Sequence, residues 1–294
     1  MPPLDLDLVP ALARAADDDS LVLHFQPEVE LSTGAVVGME ALLRWQHPAR
    51  GLLAPQHFLP LAEATGLATK IGYWVLTRCA EEVAAWRHLP GPPPRQPRQL
   101  WCNVGGTLLG DSEFVARVSD IVSRAQLPPG ALGMEVTEET LVTGGARALN
   151  ILFALRDIGV ALAVDDFGTW YSSMSTIGEL PVDAVKLDQS FVRGVGSDLE
   201  DDDIVASVIR LAHSHDLYVV AEGVESWSEG ARLCELGCDR GFGFLFSGPQ
   251  TADRARWMLM RGLGWRSSYA EDMATGIATS LSTSRPAGAE PITP

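Results

Sequence analysis

The sequence predicts an α/β protein: a modified (β/α)8 TIM-like barrel with an antiparallel strand near the N-terminus. Three observations carry this reading. Short β-rich runs alternate with amphipathic helical stretches from about residue 21 to residue 263, as in a parallel sheet wrapped by helices. The first two runs are instead joined by the turn signal Ser32-Thr33-Gly34, which suits an antiparallel hairpin. Run after run then ends in a residue able to bind a cation or move a proton.

Residues 1–18 hold one plausible short helix. The barrel is placed over 19–265. Residues 266–294 are rich in Ser, Thr, Ala, Gly and Pro without apolar periodicity, the composition of a disordered tail. Strands are expected at 21–26, 35–44, 99–104, 132–137, 160–165, 182–187, 217–222 and 239–245. Helices are expected at 55–65, 70–88, 112–126, 145–158, 198–215, 226–236 and 251–263. The proline-rich stretch 90–98 cannot be helix interior and reads as an exposed extended loop.

Composition narrows the function. Of the 294 residues, 46% are hydrophobic and 20% charged, which describes a soluble globular protein. No apolar run approaches the ~18–20 residues of a membrane span, and the N-terminus lacks a basic and apolar leader, so a cytoplasmic location is expected. A net charge of −16 opposes binding of a DNA or RNA duplex through a basic surface, and an anionic substrate would need a cation to recruit it. The run Glu200-Asp201-Asp202-Asp203 reads as a solvated helix start. Cys79, Cys102, Cys234 and Cys238 form no Cys-x-x-Cys pair and read as small buried hydrophobes.

The polar residues fall at repeated positions. Glu40 lies within the second strand. Asn103 closes the third, Glu135 and Glu138 the fourth, Asp165-Asp166 the fifth, Lys186 and Asp188 the sixth, and Glu222 the seventh. A closed parallel barrel gathers strand ends at one mouth, so these groups can be neighbours. Taken singly, a strand-end Asp caps the next helix and a Glu is solvated surface; the repetition is what points to a site. Hard oxygen donors suit Mg²⁺ or Mn²⁺ better than zinc. Crowded carboxylates repel one another by several kcal/mol unless cations intervene. Adjacent Asp165 and Asp166 are expected to point in different directions from an extended strand end.

These residues resemble the EAL-domain cyclic di-GMP phosphodiesterases. The resemblance rests on Glu40-Ala41-Leu42-Leu43-Arg44-Trp45, preceded by Phe25-Gln26-Pro27, and on Asn103-Val104, Glu135-Val136-Thr137-Glu138, Asp165-Asp166-Phe167-Gly168-Thr169, Lys186-Leu187-Asp188 and Ala221-Glu222-Gly223-Val224-Glu225. It covers residues 5–263. It implies hydrolysis of cyclic di-GMP to linear pGpG with two Mg²⁺ or Mn²⁺ ions. Glu40, Asn103, Glu135 and Asp165 match ligands of the first metal; Asp165, Asp166 and Glu222 match the surroundings of the second. Glu40, Lys186 and Glu222 are carried over as catalytic, with Lys186 orienting or deprotonating the attacking water. Gln26, Leu42, Arg44, Asp188 and Glu225 match substrate contacts. Glu138 matches a residue that holds the loop 166–173, which the family couples to a homodimer interface. Sensory or cyclase partners acting in trans are also implied.

Two positions depart from the family's pattern. Phe242-Gly243-Phe244 stands where Gln-Gly-Tyr or Gln-Gly-Phe is usual, and Phe242 cannot donate an amide hydrogen bond. Trp170 replaces the second glycine of the Asp-pair loop, where a positive φ would strain a side chain by ~1 kcal/mol or more. Three readings stay open on sequence alone: an active phosphodiesterase, a catalytically weak or inactive domain that binds cyclic di-GMP or a protein partner, and an unrelated barrel enzyme.

Overall fold

A computed structural model describes residues 5–90, 98–168, 174–197 and 199–263. The core of the proline-rich loop, the segment containing Trp170, and the tail 266–294 lie outside the described residues.

Nine strands form one sheet: β1 (Leu21–Glu30), β2 (Ala35–His47), β3 (Gly51–Leu53), β4 (Gln99–Asn103), β5 (Leu132–Thr137), β6 (Ala161–Phe167), β7 (Ala184–Leu187), β8 (Tyr218–Ala221) and β9 (Arg240–Gly241). Eight close a ring in the order β1-β9-β8-β7-β6-β5-β4-β2, and the β1–β2 hairpin completes it. β1 runs antiparallel to both its neighbours, and the other ring pairings are parallel. The expected barrel with one antiparallel strand is therefore present. β3 was not expected; it is a three-residue strand folded back onto Trp45–His47 by the turn after β2.

The helices are α1 (Val9–Ala15), α2 (Leu59–Ala64), α3 (Ala68–Trp86), α4 (Gly106–Leu109), α5 (Phe114–Ala125), α6 (Glu138–Asp157), α7 (Gln189–Val192), α8 (Leu199–His213), α9 (Trp227–Glu235) and α10 (Ala252–Arg261). Among the described residues no helix is long and apolar enough to cross a membrane. α6 begins seven residues earlier than its apolar periodicity suggests. Thr137 caps it by accepting from the Thr140 amide, and Gly145 (φ 51°, ψ −141°) kinks it, which breaks the pattern over its first turns.

The acidic run at 200–203 does start a helix, but it is not wholly solvated. Asp202 is buried, accepts from the Gly196 amide at 2.8 Å and pairs with Arg232 Nε at 2.8 Å. Burial opposes its ionisation, yet these two partners hold its carboxyl below the usual range.

Period-two alternation sorts each strand into two faces. Met39, Ala41, Leu43 and Trp45 of β2, and Leu100 and Cys102 of β4, belong to the main core between sheet and helices. The opposite faces meet inside the barrel. There Trp101, Ala161, Ala163, Ala184, Val220 and Phe242 form a separate apolar plug. Gly133 makes room for it: a Cβ at that position would lie 2.2 Å from Trp101 Cε3. Below the plug, Glu28, wholly buried, accepts from Trp101 Nε1 at 3.2 Å and pairs with Arg240 at 3.2 Å. Cys79, Cys102 and Cys238 are buried, Cys234 is half-buried, and all four are free thiols.

Candidate active site at the barrel mouth

One step above that plug, the next inward residues of several strands are polar. β2 contributes Glu40, β4 Asn103, β5 Glu135, β6 Asp165 and β7 Lys186, while Glu222 directly follows β8. Asn103 and Glu135 are direct partners, while Glu40 pairs with Trp101 and Thr137 with Asp165, a two-residue stagger that fits the tilt of strands in a closed barrel. Residues scattered along the sequence from Glu40 to Glu222 thus line one chamber.

Lys186 stands at its centre. Its ammonium lies 2.9 Å from Glu135 Oε1, 2.5 Å from Glu222 Oε1, 3.5 Å from Asp165 Oδ1 and 3.7 Å from Glu40 Oε2. Asn103 Nδ2 donates to Glu40 Oε1 at 2.9 Å and ties β4 to β2. One ammonium cannot balance four carboxylates, and proton affinities follow from that excess. Burial lowers the proton affinity of Lys186, but the surrounding carboxylates outweigh it and hold the ammonium charged. Burial pushes the Glu135 carboxyl up, against the pull of Lys186, and pushes Glu222 up to about 7. Asp166 is raised by burial and by the neighbouring Asp165 and Asp188.

The donor set fits a divalent cation. Among the described residues, neither oxygen of the buried Glu135 accepts a directed hydrogen bond; its approach to Lys186 is an ion pair outside hydrogen-bond geometry. Ligand atoms of Asp165, Asp166 and Glu222 all lie within 4.8 Å of one another. Oxygen atoms held this close, with excess negative charge and limited access to water, match a hard cation.

The expectation that the two aspartates diverge is corrected here. Asp166 lies inside β6 at an irregularity in its pairing with β7 and adopts φ 54°, a left-handed conformation that Asp tolerates better than most residues. The turn brings both carboxylates to the same cluster, while Asp165 Oδ1 also accepts from the Asp166 amide at 3.0 Å.

Glu138, the first residue of α6, is buried, and its Oε2 accepts from the Gly168 amide at 3.0 Å. Gly168 has φ 93°, and a Cβ there would meet Phe191 at 2.9 Å, so a side chain is excluded by both conformation and space. Glu138 therefore anchors the start of the loop after the aspartate pair.

The remaining expected site residues sit around the mouth. Gln26 faces Glu40 across the hairpin, and its Nε2 donates to the Ser247 carbonyl at 3.1 Å. Leu42 and Arg44 follow Glu40 on the same face of β2 and are half-buried; Arg44 donates to the Leu43 carbonyl at 2.8 Å. Asp188 caps α7 by accepting from the Ser190 amide at 3.0 Å. Glu225 is exposed, and its backbone amide is held by Glu229 at 2.8 Å. The Asp188 carboxylate is close enough to Asp166 to help raise its proton affinity, so Asp188 borders the acidic cluster.

Phe242 has a role that its sequence position did not suggest. Its ring centre lies 5.2 Å from Lys186 Nζ and closes the chamber from beneath. The sequence shows the lost glutamine amide; the gained aromatic face under a buried ammonium follows only once β9 is set beside β8. Ser247, which holds Gln26, was also missed, because its contribution is a backbone carbonyl and carries no side-chain signal.

The family described as "EAL domain" matches residues 10–249. An uncharacterized protein of Mycobacterium tuberculosis is 40% identical over 248 residues, covering 84% of this chain and 39% of the relative. The bifunctional diguanylate cyclase/cyclic di-GMP phosphodiesterase MucR of Pseudomonas aeruginosa is 37% identical over 249 residues, covering 85% of this chain and 36% of the relative. The chain thus spans less than two fifths of the length of these curated relatives. Among solved structures, the MucR phosphodiesterase in complex with c-di-GMP superposes with a TM-score of 0.79 at 36% identity, covering 85% of this chain and all of that one. The FimX EAL domain of Pseudomonas aeruginosa bound to c-di-GMP gives 0.76 at 25% identity, covering 83% and 96% of the two chains.

Proposed function

Because this chain belongs to the EAL domain family, we propose that it is a metal-dependent phosphodiesterase that hydrolyses cyclic di-GMP to linear pGpG. The observation that carries the reading is the chamber itself: four carboxylates converge on Lys186 with more negative charge than one ammonium can balance.

In this reading Glu40, Asn103, Glu135 and Asp165 hold one divalent ion, and Asp165, Asp166 and Glu222 hold a second. Mg²⁺ or Mn²⁺, when bound, acidifies water and neutralises charge that builds on the phosphoryl oxygens. Lys186 orients the attacking water and keeps a fixed positive charge beside the reacting phosphate. Glu222, with its carboxyl pushed up to about 7, can accept or return a proton near neutral pH. Gln26, Leu42, Arg44, Asp188 and Glu225 form the rim that receives the dinucleotide. Glu138 fixes the loop that presents Asp166. The substrate is a cytoplasmic second messenger, so the proposed setting is the cytoplasm, with a homodimer and sensory or cyclase partners as the regulatory context.

A second reading is favoured by one observation. Phe242 offers an aromatic ring where an amide would hydrogen-bond, which fits a domain that binds cyclic di-GMP with little turnover. Incubation of the purified protein with cyclic di-GMP and Mn²⁺, followed by chromatography, separates the two. Linear pGpG supports the enzyme; tight binding with no product supports the binding module.

A further inference from the structure

We infer that the amino-terminal mouth of the barrel binds a small phosphate monoester, its phosphate held by Arg156 and Arg240. This site lies at the opposite end of the strands from the acidic chamber and does not depend on the activity proposed above.

A cavity of about 350 Å³ opens there, within the ~300–1,000 Å³ typical of small-molecule pockets. It is lined where strands begin: Gln99 opens β4, Ala161 opens β6, Tyr218 opens β8 and Arg240 opens β9, while Gly130 and Asp183 lie just before β5 and β7. Arg156, in the last turn of α6, stands exposed at the rim. The apolar plug, against which Tyr218 packs, lies between this cavity and Lys186.

The cavity presents more hydrogen-bond donors than the protein satisfies. Arg240 lies over the Tyr218 ring, its guanidinium carbon 3.9 Å from the ring centre, which holds its donor fork in place. Only Nη1 is engaged, with Glu28 Oε1 at 3.2 Å and Gln99 Oε1 at 3.3 Å; among the described residues Nε and Nη2 meet no acceptor, and neither is sealed from solvent. An arginine can only donate, so Gln99 must turn its oxygen toward it, and the Tyr218 hydroxyl donates to that same oxygen at 3.1 Å. This leaves the Gln99 amide nitrogen free to donate. The Arg156 guanidinium makes no hydrogen bond or ion pair among the described residues. Charge points the same way. Glu28 is wholly buried behind Arg240 and does not line the cavity, so the lining sets two guanidinium groups against the carboxylate of Asp183, whose Oδ2 already accepts from the Leu162 amide at 2.9 Å. In a chain of net charge −16, a positive lining with unpaired donor forks selects a compact, doubly charged oxyanion, and the volume leaves room for the alcohol part beyond the phosphate. The second oxygen of Asp183 can accept from a hydroxyl or amino group of that part.

The test is calorimetric titration of the metal-free full chain with GMP, with guanosine and inorganic phosphate as separate arms. Without a cation the acidic chamber repels phosphate, so it does not compete for the probe. GMP is expected to bind saturably, at least ~10-fold tighter than guanosine, which lacks the charge, and at least ~10-fold tighter than inorganic phosphate, which leaves most of the cavity empty. Arg156→Gln removes a guanidinium that makes no bond within the protein, so the melting temperature should stay within about a degree of the parent's, while GMP binding weakens by at least ~10-fold. Arg240→Lys keeps a cation beside Glu28 but loses the fork, and should weaken GMP by at least ~10-fold as well; circular dichroism checks its fold. No saturable binding of GMP, guanosine or inorganic phosphate binding as tightly as GMP, or an affinity of Arg156→Gln equal to the parent's would each overturn the proposal.

Discussion

The ring of Phe242 lies 5.2 Å from the ammonium of Lys186, so the acidic chamber rests on an aromatic floor. Phe242 is 3% exposed and belongs to the barrel plug, and its ring gives Lys186 a neighbour that attracts the cation without neutralising the carboxylates. Phe242→Gln restores an amide at the cost of buried apolar surface. Turnover of cyclic di-GMP is expected to rise by ~10-fold or more, while the melting temperature falls by a few degrees. Steady-state kinetics and calorimetry on the same preparation check both. An unchanged rate would mean that the amide is not what limits this chain.

Lys186 is the internal counter-ion of the chamber. In Lys186→Met the buried carboxylates lose their cation, and the metal-free protein is expected to lose up to ~3–5 kcal/mol of stability. Proton uptake by Glu135 and Glu222 limits the loss. Mn²⁺ should recover more stability in the variant than in the parent, because it then neutralises charge that nothing else balances. Thermal melts with and without Mn²⁺ measure this, and equal melting temperatures in the absence of metal would contradict it.

The metal-free protein is expected to lose stability as pH rises through the neutral range. Glu222 titrates at about 7 in the folded state, and Glu135 is also raised, against an ordinary value of ~4.3 for an unfolded glutamate. Between those values the folded chain holds more protons than the unfolded one, so stability is greatest toward the acid end and declines as pH approaches and passes the folded value. Saturating Mn²⁺ should flatten or reverse the slope, since it binds the ionised carboxylates. Melting curves from about pH 5.5 to about pH 8.5 test the sign; a metal-free melting temperature that climbs across this range would refute it.

Glu138 acts through the Gly168 amide, which its Oε2 holds at 3.0 Å. Glu138→Ala frees the loop that carries Asp166 and is expected to lower activity by ~10–100-fold. A positioning role predicts that the concentration of Mn²⁺ needed for half-maximal rate rises together with this loss, and that Glu138→Gln, which still offers an acceptor oxygen, recovers part of both. A rate loss with no change in metal requirement would assign Glu138 another function.

Much of this architecture is legible in the sequence, for a physical reason. Barrel strands alternate inward and outward residues, so Glu40, Asn103, Glu135, Asp165 and Lys186 stand out as polar groups on otherwise apolar runs, and closure of the parallel strands into a barrel gathers them at one mouth. Contacts that depend on backbone path were not legible. The left-handed turn at Asp166, the Ser247 carbonyl that holds Gln26, and the burial of Asp202 against Arg232 each arise from loop geometry or from packing between distant helices. The early start of α6 was hidden by Gly145, whose kink interrupts the helical period.

Electron paramagnetic resonance of Mn²⁺ titrated into metal-free protein near neutral pH tests most directly the claim that these strand-end carboxylates form a divalent-metal site. Bound Mn²⁺ is expected in the parent protein, with the signal of the free ion returning in Asp165→Asn, because Asp165 belongs to the carboxylate cluster and touches Lys186. A parent protein that leaves Mn²⁺ free in solution, or an Asp165→Asn variant that binds it as well as the parent, would contradict the account.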